Sequence, residues 1–166
     1  MNNFSFYNPT RIIFGKDQIK QLDKLVPKNA TVLITYGCGS VVRNGIMDAV
    51  KAELGKSERS IFEFGGIEPN PKFETLMKAV LTVRGNNVDF LLAVGGGSVM
   101  DGTKFIAVAS VADEYFGKEE ELLYLGFGGA RTKKILPLGT VATLPATGSE
   151  MNNGAVVTKG TDKLPF

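Results

Sequence analysis

Residues 88–104 read VDFLLAVGGGSVMDGTK, and this stretch decides the fold. Its apolar run is short enough for a strand that is covered on both faces of a parallel sheet. Gly95, Gly96 and Gly97 carry no Cβ atom, so their backbone can adopt positive φ angles and its N–H groups can approach an anion closely. Ser98 is expected to begin a helix, whose N-terminus adds partial positive charge at the same place. The pattern predicts a phosphate-binding turn, with a tight turn that holds no ligand as the alternative.

Strand and helix patterns alternate along the rest of the chain. Strands are predicted at 4–7, 11–14, 31–35, 60–64, 90–94 and 135–143, and helices at 17–25, 41–54, 73–84 and 99–112. This alternation predicts an α/β fold, with a Rossmann-like, mostly parallel sheet flanked by helices. The length of 166 residues suits one such domain. The acidic run at 119–121 is expected to be the solvated face of a helix.

Composition excludes several classes of protein. The chain has 19 basic and 17 acidic side chains and a net charge of +2, with no long basic run, so no nucleic-acid partner is expected. No apolar stretch approaches the roughly 20 residues that span a bilayer, and no signal-peptide pattern opens the chain, so we expect a cytoplasmic protein without membrane contact. With no histidine and one cysteine, the chain offers no zinc or iron site of ordinary spacing.

A second glycine-rich turn, YGCGS at 36–40, follows the predicted strand at 31–35. Gly37 and Gly39 have the first spacing of G-x-G-x-x-G, but Val42 stands where the third glycine would fall, so the ordinary dinucleotide fingerprint is absent. Parallel α/β sheets nevertheless bind ligands outside the carboxyl ends of their strands. Two glycine turns at such ends make a dinucleotide the natural candidate.

The residues around this second turn favour NADP over NAD. No acidic residue follows Thr35 closely enough to accept hydrogen bonds from the adenosine ribose. Ser40 and Arg43 lie nearby instead, and a hydroxyl with a cation suits a 2′-phosphate. The alternative is that Arg43 is an ordinary exposed helix residue.

A third segment, TLPATGSE at 143–150, follows the last predicted strand. It offers the hydroxyl groups of Thr143, Thr147 and Ser149 beside Gly148. These groups make a second loop that can face an anion. A polar β-turn without a ligand is the alternative, because serine, threonine and glycine favour turns for local reasons.

The motifs GGGSVMDGTK at 95–104 and TLPATGSE at 143–150 resemble those of the iron-containing (group III) alcohol dehydrogenases. NPTRIIFGK at 8–16 and EFGGIEPNP at 63–71 are most similar to the branch of NADPH-dependent aldehyde reductases and butanol dehydrogenases. The resemblance implies that residues 1–166 form an N-terminal dinucleotide-binding domain of dehydroquinate synthase-like fold. It also implies that the helical domain that binds the divalent metal, iron or zinc, is absent from this chain. Family members are more than twice as long, so we expect a fragment that is inactive alone.

The resemblance also implies which residues bind the cofactor. They are Gly37, Gly39, Ser40, Gly95, Gly96, Gly97, Ser98, Asp101, Thr143 and Leu144. The first three are expected at the adenosine ribose and its 2′-phosphate, the glycine triplet and Ser98 at the pyrophosphate, and the last two over the cofactor. Asp101 is expected either to orient the glycine turn or to face the nicotinamide, and Lys163 is expected near the nicotinamide.

The function implied is an NADP(H)-dependent oxidoreductase, an alcohol dehydrogenase that reduces small aldehydes and forms a homodimer or larger assembly. Two alternatives stay open. One is a nucleotide-binding module without activity. The other is a related NAD-dependent enzyme, such as a glycerol dehydrogenase or a dehydroquinate synthase-like enzyme, against which the missing acid after Thr35 argues.

Overall fold

The computed structural model describes residues 3–5, 7–126, 132 and 134–166. The strands in this part are β1 (Thr31–Tyr36), β2 (Ser60–Phe64), β3 (Phe90–Gly95), β4 (Leu138–Ala142), β5 (Val156–Lys159) and β6 (Asp162–Pro165). The α-helices are α1 (Leu22–Leu25), α2 (Ser40–Arg43), α3 (Ile46–Leu54), α4 (Phe73–Gly85) and α5 (Gly97–Ala109). Short 3₁₀ helices cover Gln18–Gln21, Asp113–Tyr115, Glu119–Tyr124 and Ser149–Met151.

The first four strands form one parallel sheet in the order β2-β1-β3-β4. Strands β5 and β6 form a separate antiparallel pair. The chain leaves β1 toward β2 on one side and later returns to β3 on the other side, so the strand order reverses between β1 and β3. Such a reversal opens a crevice at the carboxyl ends of the two strands. The predicted α/β fold with a mostly parallel sheet is confirmed.

Apolar side chains cover both faces of the sheet because successive strand residues point to opposite sides. Leu33 and Leu91, both fully buried, belong to the core that α4, α5 and β5 complete. Val32 and Ile34 face the other way and pack with residues of α1 and α3. The central strands are therefore held rigidly from both sides, and their carboxyl ends are fixed in space.

The N-terminal segment differs from the prediction. Residues 4–7 and 11–14 were expected to be strands, but none of their described residues lies in one. Phe4, Tyr7 and Phe14 are exposed by 84%, 86% and 97%. The prediction was wrong because an apolar pattern makes a strand only where a neighbouring strand supplies hydrogen-bond partners. None of the described strands pairs with this segment.

Helix boundaries also shift where glycine or proline intervenes. The helix predicted at 41–54 is divided into α2 and α3, because Gly45 takes a φ of 79° between them. The helix predicted from 99 begins two residues earlier, at Gly97. The strand predicted at 135–143 is shortened to β4, which begins after Pro137, whose ring nitrogen has no hydrogen to donate.

The acidic run does not form a wholly solvated α-helical face. Its residues lie in the 3₁₀ helix Glu119–Tyr124. Glu119 is only 7% exposed, and its carboxylate pairs with Arg84 at 2.7 Å. Glu120 and Glu121 are exposed, as predicted. The prediction was wrong for Glu119 because the partner that allows it to be buried lies far away in the sequence, on α4.

Candidate functional site

Three loops meet at the carboxyl edge of the parallel sheet. The first follows β1, the second follows β3, and the third follows β4. Since β1 pairs with β3 and β3 pairs with β4, their ends are adjacent. The backbone N–H of Thr143 donates to the carbonyl oxygen of Gly95 at 3.0 Å, which joins the second loop to the third.

The glycine triplet does not use the positive φ angles that glycine can adopt. Among the described glycines with positive φ, none belongs to the triplet. Gly96 has φ −93° and ψ −169°, an extended conformation that other residues also adopt. It precedes α5, which begins at Gly97. The helix N-terminus is therefore aimed at the end of β3, with its partial positive charge.

Gly95 and Gly97 are instead required because their surroundings leave no room for a side chain. A Cβ atom on Gly95 would lie 2.6 Å from Cγ2 of Val99, and one on Gly97 would lie 2.5 Å from Oγ1 of Thr147. Such contacts are too short for real atoms. On Gly96, by contrast, the nearest atom to a Cβ would be 3.9 Å away, on Leu144. The middle glycine thus has room for a Cβ atom in ordinary contact with Leu144, while its two neighbours are packed against the helix and the third loop.

The sequence suggested that the hydroxyl of Ser98 either caps the helix or binds a phosphate oxygen. It does not cap the helix, because no side-chain hydrogen bond caps α5. Its Oγ accepts a hydrogen bond from the backbone N–H of Asn70 at 3.3 Å. Asn70 adopts a left-handed conformation with φ 55°. A hydroxyl that accepts one bond keeps its own O–H to donate to a phosphate oxygen. Asn70 therefore contacts the candidate site, and sequence reasoning did not identify it.

The turn after β1 borders a cavity of about 640 Å³. Its lining residues are Tyr36, Gly37, Cys38, Gly39, Val42, Arg43, Gly65 and Gly66. Gly39 takes a φ of 93°, which glycine adopts readily. Arg43 is the one charged residue of this lining, and its guanidinium lies beside Gly39. Ser40 and Arg43 are both exposed, so this end of the crevice carries positive charge and is open to solvent.

The third loop borders a second cavity of about 310 Å³. It is lined by Asp101, Thr147, Ser149, Asn152, Asn153 and Gly154. Thr143 and Leu144, at the start of the loop, are exposed. The first cavity therefore lies at the end of β1, and the second lies between the third loop and Asp101 of α5.

Asp101 binds the third loop rather than the glycine turn. One carboxylate oxygen accepts a hydrogen bond from Oγ of Ser149 at 2.6 Å. The other accepts from the backbone N–H of Val156 at 3.0 Å. Asp101 thus connects α5 to the segment that leads into β5.

Lys104 lies one helical turn further along α5 and reaches the same loop. Its Nζ donates to Oγ of Ser149 at 2.9 Å, to Oδ1 of Asn152 at 2.9 Å and to the carbonyl oxygen of Gly154 at 2.7 Å. Burial lowers the pKa of Lys104, although the carboxylates of Asp101 and Glu150 act in the opposite direction. Sequence reasoning missed Lys104. The signal was present, since Lys104 is a lone cation in the otherwise apolar second half of α5.

Lys163 belongs to the antiparallel pair of β5 and β6, and not to the parallel sheet that carries the glycine turns. It belongs to β6, opposite Thr158 of β5, and is exposed. Within the described residues, no hydrogen bond connects Lys163 to either glycine turn. Its predicted position near the nicotinamide stays a prediction.

The glycine triplet suits an anionic ligand, because it lies at a helix N-terminus and its middle position has room for a neighbouring group. The described residues offer no comparable site for a metal. In the part of the chain that the structure describes, no three His, Cys, Asp or Glu side chains lie close enough to hold a metal ion. Nor does any helix there have the length and apolarity to cross a membrane.

Comparisons with known proteins agree with this geometry. The family model "Iron-containing alcohol dehydrogenase" matches residues 9–166. The NADPH-dependent aldehyde reductase YqhD of Escherichia coli (strain K12) is 52% identical over 168 residues, which cover 100% of this chain and 42% of that protein. The probable NADH-dependent butanol dehydrogenase 1 of Bacillus subtilis (strain 168) is 43% identical over 167 residues, with coverages of 100% and 42%.

Solved structures show the same likeness. The crystal structure of E. coli K-12 YqhD superposes with a TM-score of 0.89 at 52% identity, covering 99% of this chain and 42% of that one. The NADH-dependent butanol dehydrogenase A of Thermotoga maritima gives a TM-score of 0.88 at 34% identity, covering 99% and 41%. The chain thus spans about two-fifths of the length of these relatives. Because the family match extends over nearly the whole chain, the protein belongs to the iron-containing alcohol dehydrogenase family.

Proposed function

We propose that residues 1–166 form the cofactor-binding domain of an NADP(H)-dependent alcohol dehydrogenase that acts mainly as a reductase of small aldehydes. One observation carries this proposal. Gly96 is the open position of a crowded glycine triplet, and it lies at the N-terminus of α5 where the strand order reverses. An anionic group placed there meets backbone N–H groups and the positive end of a helix.

The pyrophosphate is proposed to lie over Gly96, at the N-terminus of α5. Gly95 and Gly97 bring the backbone close, because their missing Cβ atoms leave room for Val99 and Thr147. Ser98 offers a hydroxyl group at the same helix end. Thr143 and Leu144 are proposed to close over the cofactor, because the backbone of Thr143 is bonded to Gly95.

The adenosine end is proposed to occupy the cavity after β1, beside Gly37, Gly39 and Ser40. Arg43 supports a 2′-phosphate there, since it gives the described lining its one charge and no carboxylate opposes it. The relatives include enzymes named for NADPH and for NADH, so they do not distinguish the two cofactors. The proposed preference for NADP rests on Arg43 and the turn after β1.

When bound, the cofactor supplies a hydride for transfer between its nicotinamide and an aldehyde or alcohol carbon. The residues of this chain bind and orient it. Asp101 is proposed to fix the third loop, which borders the smaller cavity, and Lys163 remains a candidate near the nicotinamide. No described residues hold iron or zinc, so we propose that this chain alone binds the cofactor without turning over substrate, and that any metal is held by residues outside the described ones.

The proposal is tested by calorimetric titration of this chain with NADPH and with NADH, for the wild type and for Gly96→Asp and Gly96→Asn. The extended backbone at Gly96 accepts either side chain, and the two are nearly equal in size. Wild type should bind NADPH more tightly than NADH. Gly96→Asp should bind NADPH at least about tenfold more weakly than Gly96→Asn, because only aspartate opposes the pyrophosphate charge.

Three outcomes would each contradict a part of the proposal. Wild type that is folded by circular dichroism yet binds neither nucleotide shows that the crevice is not a competent cofactor site. Equal affinities of the Asp and Asn variants show that the pyrophosphate does not lie over Gly96. A preference of wild type for NADH would overturn the role given to Arg43 while leaving the site itself in place.

A further inference from the structure

We infer that Lys104 is a positioning residue that fixes the third loop against the glycine triplet, and that it does not bind phosphate itself. The inference rests on the proposed nucleotide site and deepens it. Lysine close after a glycine-rich turn ordinarily suggests a phosphate ligand. The contacts of Lys104 indicate instead that it holds the third loop in place.

All the donors of Lys104 are already engaged. An ammonium group has three N–H bonds to donate. Nζ has three acceptors within hydrogen-bond distance, on Ser149, Asn152 and Gly154, at 2.9, 2.9 and 2.7 Å. No N–H is left for a phosphate oxygen unless one of these bonds breaks.

Asp101 and Ser149 complete a closed set of contacts with Lys104, which we call the loop clamp. Ser149 is only 3% exposed. Its hydroxyl accepts from Lys104 and donates to Asp101, at 2.9 and 2.6 Å. The second oxygen of Asp101 accepts from the N–H of Val156 at 3.0 Å. The carboxylates of Asp101 and Glu150 already supply negative charge near Lys104, so the clamp holds the loop without needing an anionic ligand.

The clamp acts on the loop that touches the glycine triplet. Asp101 and Lys104 belong to α5, the same helix that begins at Gly97. The loop that they hold carries Thr147, whose Oγ1 fills the space left by the missing Cβ of Gly97. One rigid helix therefore presents the anion-binding turn and also sets the distance of the loop that covers it. Asn152 strengthens this arrangement, because its side chain donates to the carbonyl oxygen of Gly148 at 3.1 Å.

The test compares Lys104→Met with Lys78→Met, the same change at an exposed position of α4. Each variant is titrated with NADPH and with adenosine 2′-monophosphate, which lacks the 5′-phosphate, and amide hydrogen exchange is measured without nucleotide. Lys104→Met should weaken NADPH binding about tenfold. It should leave the affinity for adenosine 2′-monophosphate unchanged, because that ligand has no 5′-phosphate and is proposed to occupy only the cavity after β1. Amide exchange should accelerate at 147–157 and nowhere else, and Lys78→Met should change none of these readouts.

Unchanged exchange at 147–157 in Lys104→Met, together with weaker NADPH binding, would overturn the inference and assign Lys104 to the phosphate. If Lys104→Met does not fold, Asn152→Ala replaces it, since Asn152 is exposed and supplies one of the three acceptors. That variant should show the same local acceleration, and its absence would also overturn the inference. Failure of wild type to bind NADPH refutes the proposed function instead, while the exchange measurement still decides whether Lys104 holds the loop.

Discussion

The two glycine turns of the crevice use the same residue for different physical reasons. After β1, Gly39 takes a φ of 93°, and a Cβ there would meet only the guanidinium of Arg43, at 3.4 Å. After β3, no glycine of the triplet has positive φ, but a Cβ on Gly95 would lie 2.6 Å from Val99. Glycine is needed for backbone conformation in the first turn and for space in the second. A glycine in a sequence motif does not reveal which of these it supplies.

The largest expected effect is at the crowded turn. Gly95→Ala should lower the free energy of unfolding by about 1–3 kcal/mol, the usual cost of overpacking a core. Gly95 is buried, and Cβ of Val99 would lie 2.9 Å from the new methyl group, so rotation of the valine cannot remove the clash. Urea denaturation measures the change.

A double variant shows whether the clash is the cause. Val99→Ala removes the methyl carbon at 2.6 Å and leaves the Cβ at 2.9 Å. The cost of Gly95→Ala should therefore be smaller in the Val99→Ala background than in wild type. Strictly additive costs would show that Gly95 is needed for something other than this space.

A smaller effect is expected at the open turn. Gly39→Ala should cost about 1–2 kcal/mol, because an L-residue is strained in the left-handed region. Asparagine visits that region more readily than alanine, so Gly39→Asn should be milder than Gly39→Ala. At Gly95 the order should reverse, since the larger side chain meets the same clash.

The opposite order of alanine and asparagine at Gly39 and Gly95 is the most direct test of whether the two turns need glycine for different reasons. The free energies of unfolding of all four variants are measured in one buffer by denaturation. If alanine is milder than asparagine at both positions, space limits both turns and the distinction between them is lost. If asparagine is milder at both, backbone conformation governs both.

Much of the fold was predictable from local patterns. Strand β2 occupies the predicted residues, because Ile61, Phe62 and Phe64 favour a strand and two glycines follow it directly. The segment at 11–14 carries a similar pattern yet forms no strand, because no described strand lies beside it. Local pattern reports the preference of a segment, whereas a strand also requires a partner.

The glycine turns of the candidate site were found from sequence, but the contacts that hold its third loop were not. The order of strand, glycine and helix places the triplet at a strand end, so Gly95, Gly96 and Gly97 were identifiable. The partners of the loop clamp are distant in sequence: Asn152 is 48 residues from Lys104, and Val156 is 55 residues from Asp101. Which polar groups meet across such separations depends on the tertiary packing of the loop on α5.

The smallest expected effect lies outside both turns and depends on pH. Burial would raise the pKa of Glu119, but hydrogen bonds from its own backbone N–H, from Arg84 and from the N–H of Gly117 outweigh it and hold that pKa below the ordinary 4.5. A lowered pKa means that the carboxylate stabilises the fold above about pH 4.5, and that this contribution is lost as the pH falls through the lowered pKa of the folded state.

Glu119→Gln should remove that part of the acid destabilisation while leaving the costs of Gly95→Ala and Gly39→Ala unchanged at each pH. The expected difference between the acid sensitivities of wild type and Glu119→Gln is under about 1 kcal/mol, because Arg84 keeps some contact with solvent. Denaturation curves across the acid range measure it, with the exposed Glu121→Gln as the matched control. Equal acid sensitivity of wild type and Glu119→Gln would show that the pair with Arg84 adds nothing to the stability. A pH-dependent cost of either glycine variant would show that the turns are coupled to ionisation, which a purely steric or conformational requirement for glycine does not allow.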